Sequence, residues 1–240
     1  MRINLALLLL LTISFSACTY LGGKRIQGNG IVGTEQRQVG SFSGIEIKGG
    51  IDVFVSQDAA PSLKIEGDQN LLQYIEVVKN GDVVQISTRR GYNLKPKTSL
   101  KVYASAPIFN KLLIMGGGDI KSQTKITSPT SINAQISGSG DIQLDVDAPV
   151  VNADISGSGD IILNGTTRDF KGSIRGSGDI KCFNLLSETS NVDIAGSGDA
   201  QVSASKQLIV DIKGAGDVKY KGTPSINQSI KGSGSVTKAG

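Results

Sequence analysis

The chain of 240 residues has 25 Lys and Arg against 21 Asp and Glu, a formal net charge of +4, and no histidine. The lack of histidine excludes imidazole acid–base catalysis, Ser-His-Asp and Cys-His sites, and ordinary zinc or haem sites. Aromatic residues make up only 5% of the chain, which argues against stacked nucleic acid and sugar-binding platforms, and the small net charge does not suggest a nucleic-acid partner.

The N-terminus has the features of a lipoprotein signal peptide. A positive Arg2 precedes an almost unbroken apolar run over 3–13, which is too short to span a membrane and fits a secretory signal. Small residues directly before Cys18 resemble a bacterial lipobox. We therefore expect a signal peptide over 1–17 and lipid attachment at Cys18, whose two or three acyl chains would anchor the protein stably. The alternative is an ordinary signal peptide with an incidental cysteine.

The segment after this cysteine is polar and rich in glycine. Residues 18–38 show no strand or helix period, so we expect a flexible tether between the membrane and the folded part. The protein is then expected in the cell envelope, anchored at the outer membrane and facing the periplasm or the surface. Cys182 is left without an internal disulfide partner, and its place in an alternating run predicts a buried, inert thiol.

Residues 39–110 predict a mixed β region that caps the N-terminal end of a repeat region beginning at residue 111. Alternating apolar runs, divided by Gly49-Gly50, lead into further short strands. Asn80-Gly81 lies between two such runs and predicts a hairpin. The segment Asp68–Leu72 predicts a single helical turn with Asp68 as its N-cap.

From residue 111 to 240 a Gly-x-Gly-Asp motif recurs, with spacings near 19 residues. A fixed period of this length is typical of a stacked array. Apolar residues alternate on both sides of each motif, as in Val151, Ala153 and Ile155, which predicts strands buried on one face. The residues assigned to the repeated turn are Gly138, Gly140, Asp141, Gly157, Gly159, Asp160, Gly176, Gly178, Asp179, Gly196, Gly198, Asp199, Gly214, Gly216 and Asp217.

Two all-β architectures fit this repeat. In a parallel β-solenoid (β-helix), each coil of ~19 residues stacks on the previous one, so that equivalent residues lie above one another. In an antiparallel meander, each motif would be a hairpin loop. We favour the solenoid because so many antiparallel strands would need closure or a second sheet, and the sequence marks neither.

The repeated turn also allows several roles. The glycines would supply the positive φ angles that a sharp corner needs, and the Asp side chains would accept backbone hydrogen bonds. A calcium column is the sharper alternative, but the spacing differs from that of calcium-binding nonapeptide repeats. A phosphate-binding loop fits less well, since a strand and not a helix comes after each motif. We expect no metal and no cofactor.

The chain resembles a bacterial family known as putative auto-transporter adhesin, head GIN domain. The resemblance is carried by the opening Phe42–Val53, the segment Gly67–Leu71, the hairpin Asn80–Asp82 and the Gly-Ser-Gly-Asp repeats. It covers roughly residues 40–240 and implies an all-β, solenoid-like fold in an envelope lipoprotein. The family implies no catalytic residues that could be transferred to this chain.

Two classes of function remain. The first is a lipid-anchored, non-enzymatic envelope protein with a binding, adhesion or scaffold role, whose partner would be an envelope glycan or a protein. The second is a β-helix polysaccharide lyase or hydrolase. We favour the first class, because the repeated Asp residues are equivalent to one another, whereas an active site needs carboxylates in different surroundings.

Overall fold

The structure is a computed structural model that describes residues 23–240. The signal peptide and Cys18 lie outside this range, so their assignment stays a prediction. Within it the chain forms one 3-10 turn, Leu72–Tyr74, and the strands β1 (Lys24–Gln27), β2 (Val32–Gln36), β3 (Gly44–Gly49), β4 (Asp52–Gln57), β5 (Ser62–Asp68), β6 (Ile75–Asn80), β7 (Val83–Thr88), β8 (Tyr92–Lys95), β9 (Lys101–Ala106), β10 (Lys111–Gly116), β11 (Ile120–Ser122), β12 (Ile126–Thr127), β13 (Ser131–Gly138), β14 (Ile142–Gly157), β15 (Ile161–Gly176), β16 (Ile180–Gly196), β17 (Ala200–Gly214), β18 (Val218–Lys221), β19 (Ser225–Gly232) and β20 (Val236–Lys238). No helix in residues 23–240 is long and apolar enough to cross a membrane.

The repeats stack as a parallel β-solenoid, which confirms the expected fold class. Strands β14 to β17 are 15 to 17 residues long and bend around the corner opposite the glycine turn. Each pairs in parallel with the next, so that Ile136, Ile155 and Ile174 lie opposite one another in register. The meander is wrong, because the two strands that flank a glycine turn pair in parallel with an offset of one coil and do not form an antiparallel hairpin.

The core is a set of apolar columns inside the coils. The alternating residues that the sequence predicts to point inward, such as Val151, Ala153 and Ile155, are fully buried. Burial of each Ile or Val contributes roughly 1.5–3 kcal/mol to the free energy of folding. Because each coil packs on its neighbours, these contributions add up along the array. Cys182 is buried and unpaired, as predicted. Burial raises the pKa of its thiol to about 12, so the thiol is protonated and unreactive at neutral pH.

The expected division at residues 110/111 is not a structural boundary. Strand β3 pairs in parallel with β10 on one side and with β7 on the other. Strand β4 lies in the same way between β11 and β9. The first coil is therefore formed by residues 44–57, and β7 and β9 extend the stack beyond it although they come after it in sequence.

Antiparallel strands close this N-terminal end. Strand β5 pairs with β9 and with β2, and the hairpin predicted at Asn80-Gly81 joins β6 to β7. The predicted helical turn begins a little later than expected, and its N-cap residue is Leu71 without a side-chain cap. The prediction that Asp68 caps this turn is wrong, because its carboxylate serves a different purpose.

The flexible tether predicted over 18–38 is wrong for the residues that the structure describes. Strand β1 pairs in parallel with β8, and β2 pairs with β5. The buried Asp68 holds these segments together, because its carboxylate accepts hydrogen bonds from the backbone N–H groups of Gly30, Lys97 (2.8 Å) and Thr98 (3.1 Å). Burial of this carboxyl alone would raise its pKa, but the backbone hydrogen bonds outweigh burial and lower the pKa.

Candidate functional site

The first glycine of each repeated turn adopts a conformation that other residues rarely reach. Its φ angle is 140° at Gly138 and Gly157 and lies between 136° and 152° in the later turns, at Gly176, Gly196 and Gly214. The missing Cβ of Gly157 would also overlap the carbonyl oxygen of Gly138. This position therefore needs glycine for both conformation and space.

The second glycine is required by space alone. Gly159 has no positive φ, so the expectation that this position also needs one is wrong. A Cβ at Gly159 would instead overlap the carbonyl oxygen of Gly140 in the previous coil. The same overlap would occur at the equivalent glycines, namely Gly140, Gly178, Gly198 and Gly216.

The aspartates form a column of hydrogen bonds along one corner of the solenoid. The Oδ1 atom of each Asp accepts the backbone N–H of the equivalent residue one coil later, at 2.8–3.1 Å for the donors Asp141, Asp160, Asp179, Asp199 and Asp217. Asp52 begins this column and Ser235 ends it, with both the N–H and the hydroxyl of Ser235 on Asp217. The Lys181 ammonium, 2.6 Å from Asp160 and 3.7 Å from Asp179, offsets part of the negative charge.

The backbone hydrogen bonds of the repeated turn join neighbouring coils. Its backbone donors are used within the array, since the Ser158 N–H donates to the Gly138 carbonyl at 2.9 Å. They are thus not directed at a phosphate. In the part of the chain from residue 23 onward, no group of three or more acidic or cysteine side chains is placed to hold a metal ion.

The outer face of the repeats presents polar side chains in register. Asn133, Asn152, Lys171 and Asn191 succeed one another on consecutive coils. The Asn152 amide donates to Asn133 Oδ1 at 2.7 Å, so part of this row is itself a hydrogen-bonded ladder. A shallow groove of about 220 Å³ lies between this row and a second row that contains Asp154, Ser173 and Asp193.

A second surface site lies outside the repeats, where β2, β5, β9 and β4 run side by side. Pairing across these strands produces one outward row of Gln36, Lys64, Tyr103 and Phe54, and a neighbouring row of Ser62, Ser105 and Ser56. A cleft of about 340 Å³ opens over the two rows, with Asp58 and Gln123 at its margin. We call it the serine–tyrosine cleft.

The sequence alone does not predict this cleft. Phe54 and Tyr103 are far apart in the chain, and the low aromatic content argued against any aromatic site. In the structure the two rings stack with centroids 5.3 Å apart. The available signal was local: each aromatic residue stands among apolar residues that alternate with it, which places it on the outward face of its strand.

The chain matches the family described as putative auto-transporter adhesin, head GIN domain, over residues 41–224. It belongs to this family. The resemblance seen in the sequence is thereby confirmed, and the name of the family points to an adhesive protein of the cell envelope or surface. None of the curated proteins compared with the chain matches it.

Solved structures have the same fold. A putative adhesin from Bacteroides fragilis shares 23% identity at a TM-score of 0.81, over 89% of this chain and 100% of that chain. A protein from Parabacteroides distasonis described as a putative lipid binding protein shares 27% identity at a TM-score of 0.75, over 90% of this chain and 100% of its own. A putative adhesin from Parabacteroides merdae shares 21% identity at a TM-score of 0.70, with the same coverage of 90% and 100%.

Proposed function

We propose that the protein is a lipid-anchored, non-enzymatic cell-envelope protein that uses its rigid β surface for binding or adhesion. The observation that carries this proposal is the row of outward polar side chains held in register, from Asn133 to Asn191. A surface of this kind offers many equivalent weak contacts, which add up by multivalency against a repetitive partner. The family supports the same role.

The chemistry of the Asp column also favours a non-enzymatic role. Each of these carboxylates has the same partner, a backbone N–H of the next coil. An acid–base pair needs two carboxylates whose surroundings hold their pKa values apart, and repetition works against that difference. We therefore assign these residues to stability.

Adhesion is tested with cells that produce the full-length chain. Cells with the wild-type protein should adhere to immobilised envelope polysaccharide or to partner cells more strongly than cells without it. A variant with Asn133, Asn152 and Asn191 changed to Lys should adhere less, because the row loses its amides and gains like charges. The control carries Lys at Gln143, Asn164 and Asn184, which face outward on the other side of the coils and belong to neither row of the groove. Equal adhesion of all four strains, or release of reducing or unsaturated sugar ends by the purified protein, would contradict the proposal.

Anchoring is tested separately by labelling. Metabolically supplied palmitate should label the wild type and Cys182→Ser, whose thiol is buried, but not Cys18→Ser. The Cys18→Ser protein should also leave the membrane fraction or remain unprocessed. Label on Cys18→Ser at the wild-type level would exclude lipid attachment at this residue.

A further inference from the structure

We infer that the serine–tyrosine cleft binds a saccharide unit of a glycan. The inference deepens the proposed binding role, on which it rests, and gives it a second, more selective site. The cleft stands out because it is not repeated. The outer face of the solenoid carries mostly polar residues in register from coil to coil, whereas this combination of hydroxyls, amides, one ammonium and a tyrosine occurs where β5 and β9 join the stack.

The floor of the cleft is a row of hydroxyl groups at the spacing of adjacent strands. Ser62 and Ser105 share a hydrogen bond of 2.8 Å, and the Ser105 hydroxyl also reaches the Ala60 carbonyl at 2.8 Å. The Ser56 hydroxyl donates to Gln123 Oε1 at 3.0 Å. Gln123 lines the cleft, and its amide N–H groups take no part in this hydrogen bond and can act as donors. The protons of the three serine hydroxyls are engaged in these hydrogen bonds, so their oxygens can accept from the hydroxyls of a sugar ring, which both donate and accept.

The wall of the cleft is firm and amphipathic. The Tyr103 ring stacks on Phe54, and the Lys64 ammonium lies 4.4 Å from the Tyr103 centroid. Both faces of this ring are thus occupied, so a ligand meets its edge and its phenol oxygen. The phenol hydroxyl can exchange hydrogen bonds with sugar hydroxyls, whereas the two occupied ring faces leave no surface on which a planar base could stack.

The two charged side chains in the cleft are compatible with neutral and with acidic sugars. The Lys64 ammonium makes no ion pair within residues 23–240, and it stands in the same cleft as the Asp58 carboxylate. The pair can bind hydroxyls, and Lys64 can also bind the carboxylate of an acidic sugar. The volume of about 340 Å³ lies at the low end of ligand sites, which fits one or two sugar rings of a longer chain.

Neighbouring contacts hold the cleft in shape. The Gln57 side chain, next to Ser56, donates to the carbonyls of Pro107 (2.7 Å) and Thr127 (3.1 Å) and accepts from the Thr127 N–H at 2.6 Å. These hydrogen bonds of Gln57 connect the end of β4 to the next coil. A binding site whose walls need little ordering loses less free energy on binding.

Calorimetry and saturation-transfer NMR test the inference on the full-length protein in detergent. The probes are chitotetraose, maltohexaose and tetragalacturonate, which separate amino-, neutral and acidic sugars. We expect at least one of them to bind with a Kd below ~1 mM. Ser105→Ala and Ser62→Ala should weaken that binding about tenfold, since each leaves a sugar hydroxyl unpaired. Ser158→Ala, an exposed serine of a repeated turn, should not change it.

Two further results decide the outcome. If an acidic sugar is the ligand, Lys64→Gln should weaken the binding of tetragalacturonate much more than that of maltohexaose, because only the acidic sugar loses an ion pair. The inference is overturned if none of the three probes binds at ~10 mM, or if Ser105→Ala and Ser158→Ala bind alike. The cell-adhesion assay separates the two proposals. If the cleft binds no sugar but the cells still adhere, only the inference about the cleft is overturned, and the proposed adhesive role stands.

Discussion

At the scale of single residues, each repeated turn from Gly116 onward requires glycine twice, for two different physical reasons. At Gly157 the backbone turns with φ 140°, a region that a Cβ makes strained. At Gly159 the backbone is ordinary, but the coil below approaches so closely that its carbonyl oxygen occupies the place of a Cβ. The motif is therefore fixed by the geometry of stacking and does not need a ligand to explain it.

Replacing Gly159 by Ala should destabilise the protein by about 2 kcal/mol, because one coil must move away from the next. Ser158→Ala, in the same turn but with an exposed side chain, should cost less than ~0.5 kcal/mol. Chemical denaturation with a constant m-value measures both changes. Similar losses in the two variants would contradict the steric account.

The buried Asp68 predicts how the fold responds to acid. Backbone hydrogen bonds lower the pKa of this carboxyl below that of the unfolded chain. Its ionised form therefore stabilises the fold at neutral pH, and this contribution is lost as the pH falls below about 4. The thermal midpoint of the wild type should drop more between pH 5 and pH 2.5 than that of Asp68→Asn, which starts lower and cannot titrate. Parallel curves would show that the carboxylate is not the cause.

At the scale of elements, the Asp column explains how stacked carboxylates tolerate one another. A backbone N–H stands between each pair, as where Asp179 donates to Asp160 at 3.0 Å. Because this donor replaces the cation that a purely acidic column would need, calcium should not stabilise the fold. We expect the thermal midpoint to be the same in ~5 mM calcium and in chelator. A rise of several degrees with calcium would indicate a site that couples to folding.

The last coil is exposed to solvent and has polar residues at positions where the earlier coils have inward-facing residues. Strand β19 is exposed along its whole length, with Ile226 at 43% and Ile230 at 36% exposure. Two polar residues interrupt its inward column: Gln228 lies opposite Val210, and Lys238 lies opposite Tyr220. An inward-pointing polar group makes an open sheet edge unattractive to another chain.

This arrangement predicts the effect of making the last coil apolar. Gln228→Val combined with Lys238→Val should cause end-to-end association, visible as concentration-dependent mass in analytical ultracentrifugation. Asn227→Val adds an apolar group to the same strand on its outward face, and it should leave the protein in its original state. If the double variant behaves like Asn227→Val, the polar residues do not protect this edge.

The limits of the sequence are visible in particular residues. The inward columns around Ile155 were predictable because a period of two lies within a period of about 19, and both result from backbone geometry. Strand β1 was not predictable from the sequence. Its partner, Tyr92–Lys95, is far away in the chain, and neither segment shows an alternation of apolar and polar residues. The serine–tyrosine cleft depends on a similar long-range register, that of Phe54 with Tyr103. A single sequence shows which face a residue occupies, but not which distant strand lies beside it.

At the scale of the whole molecule, one sheet of 18 strands joins the N-terminal region to the repeats. Because β3 and β4 each lie between two parallel neighbours, neither region is complete without the other. The chain should therefore unfold in a single transition. In Tyr220→Phe, tyrosine fluorescence reports on the N-terminal part, and far-ultraviolet circular dichroism reports on all strands. Their midpoints should coincide, and separate midpoints would reveal two folding units.

The pairing of β1 with β8 also sets the distance between the fold and any membrane to which Cys18 attaches it. A tether reaching to residue 38 could extend about 70 Å, at ~3.5 Å per residue. Because β1 already begins at Lys24, Cys18 precedes it by six residues, which span at most about 20 Å. An acylated Cys18 would thus keep the N-terminal end of the solenoid within about 20 Å of the bilayer surface. The serine–tyrosine cleft, built from β2, β5, β9 and β4, would then sample the sugars that coat its own membrane, while the open last coil points away from it.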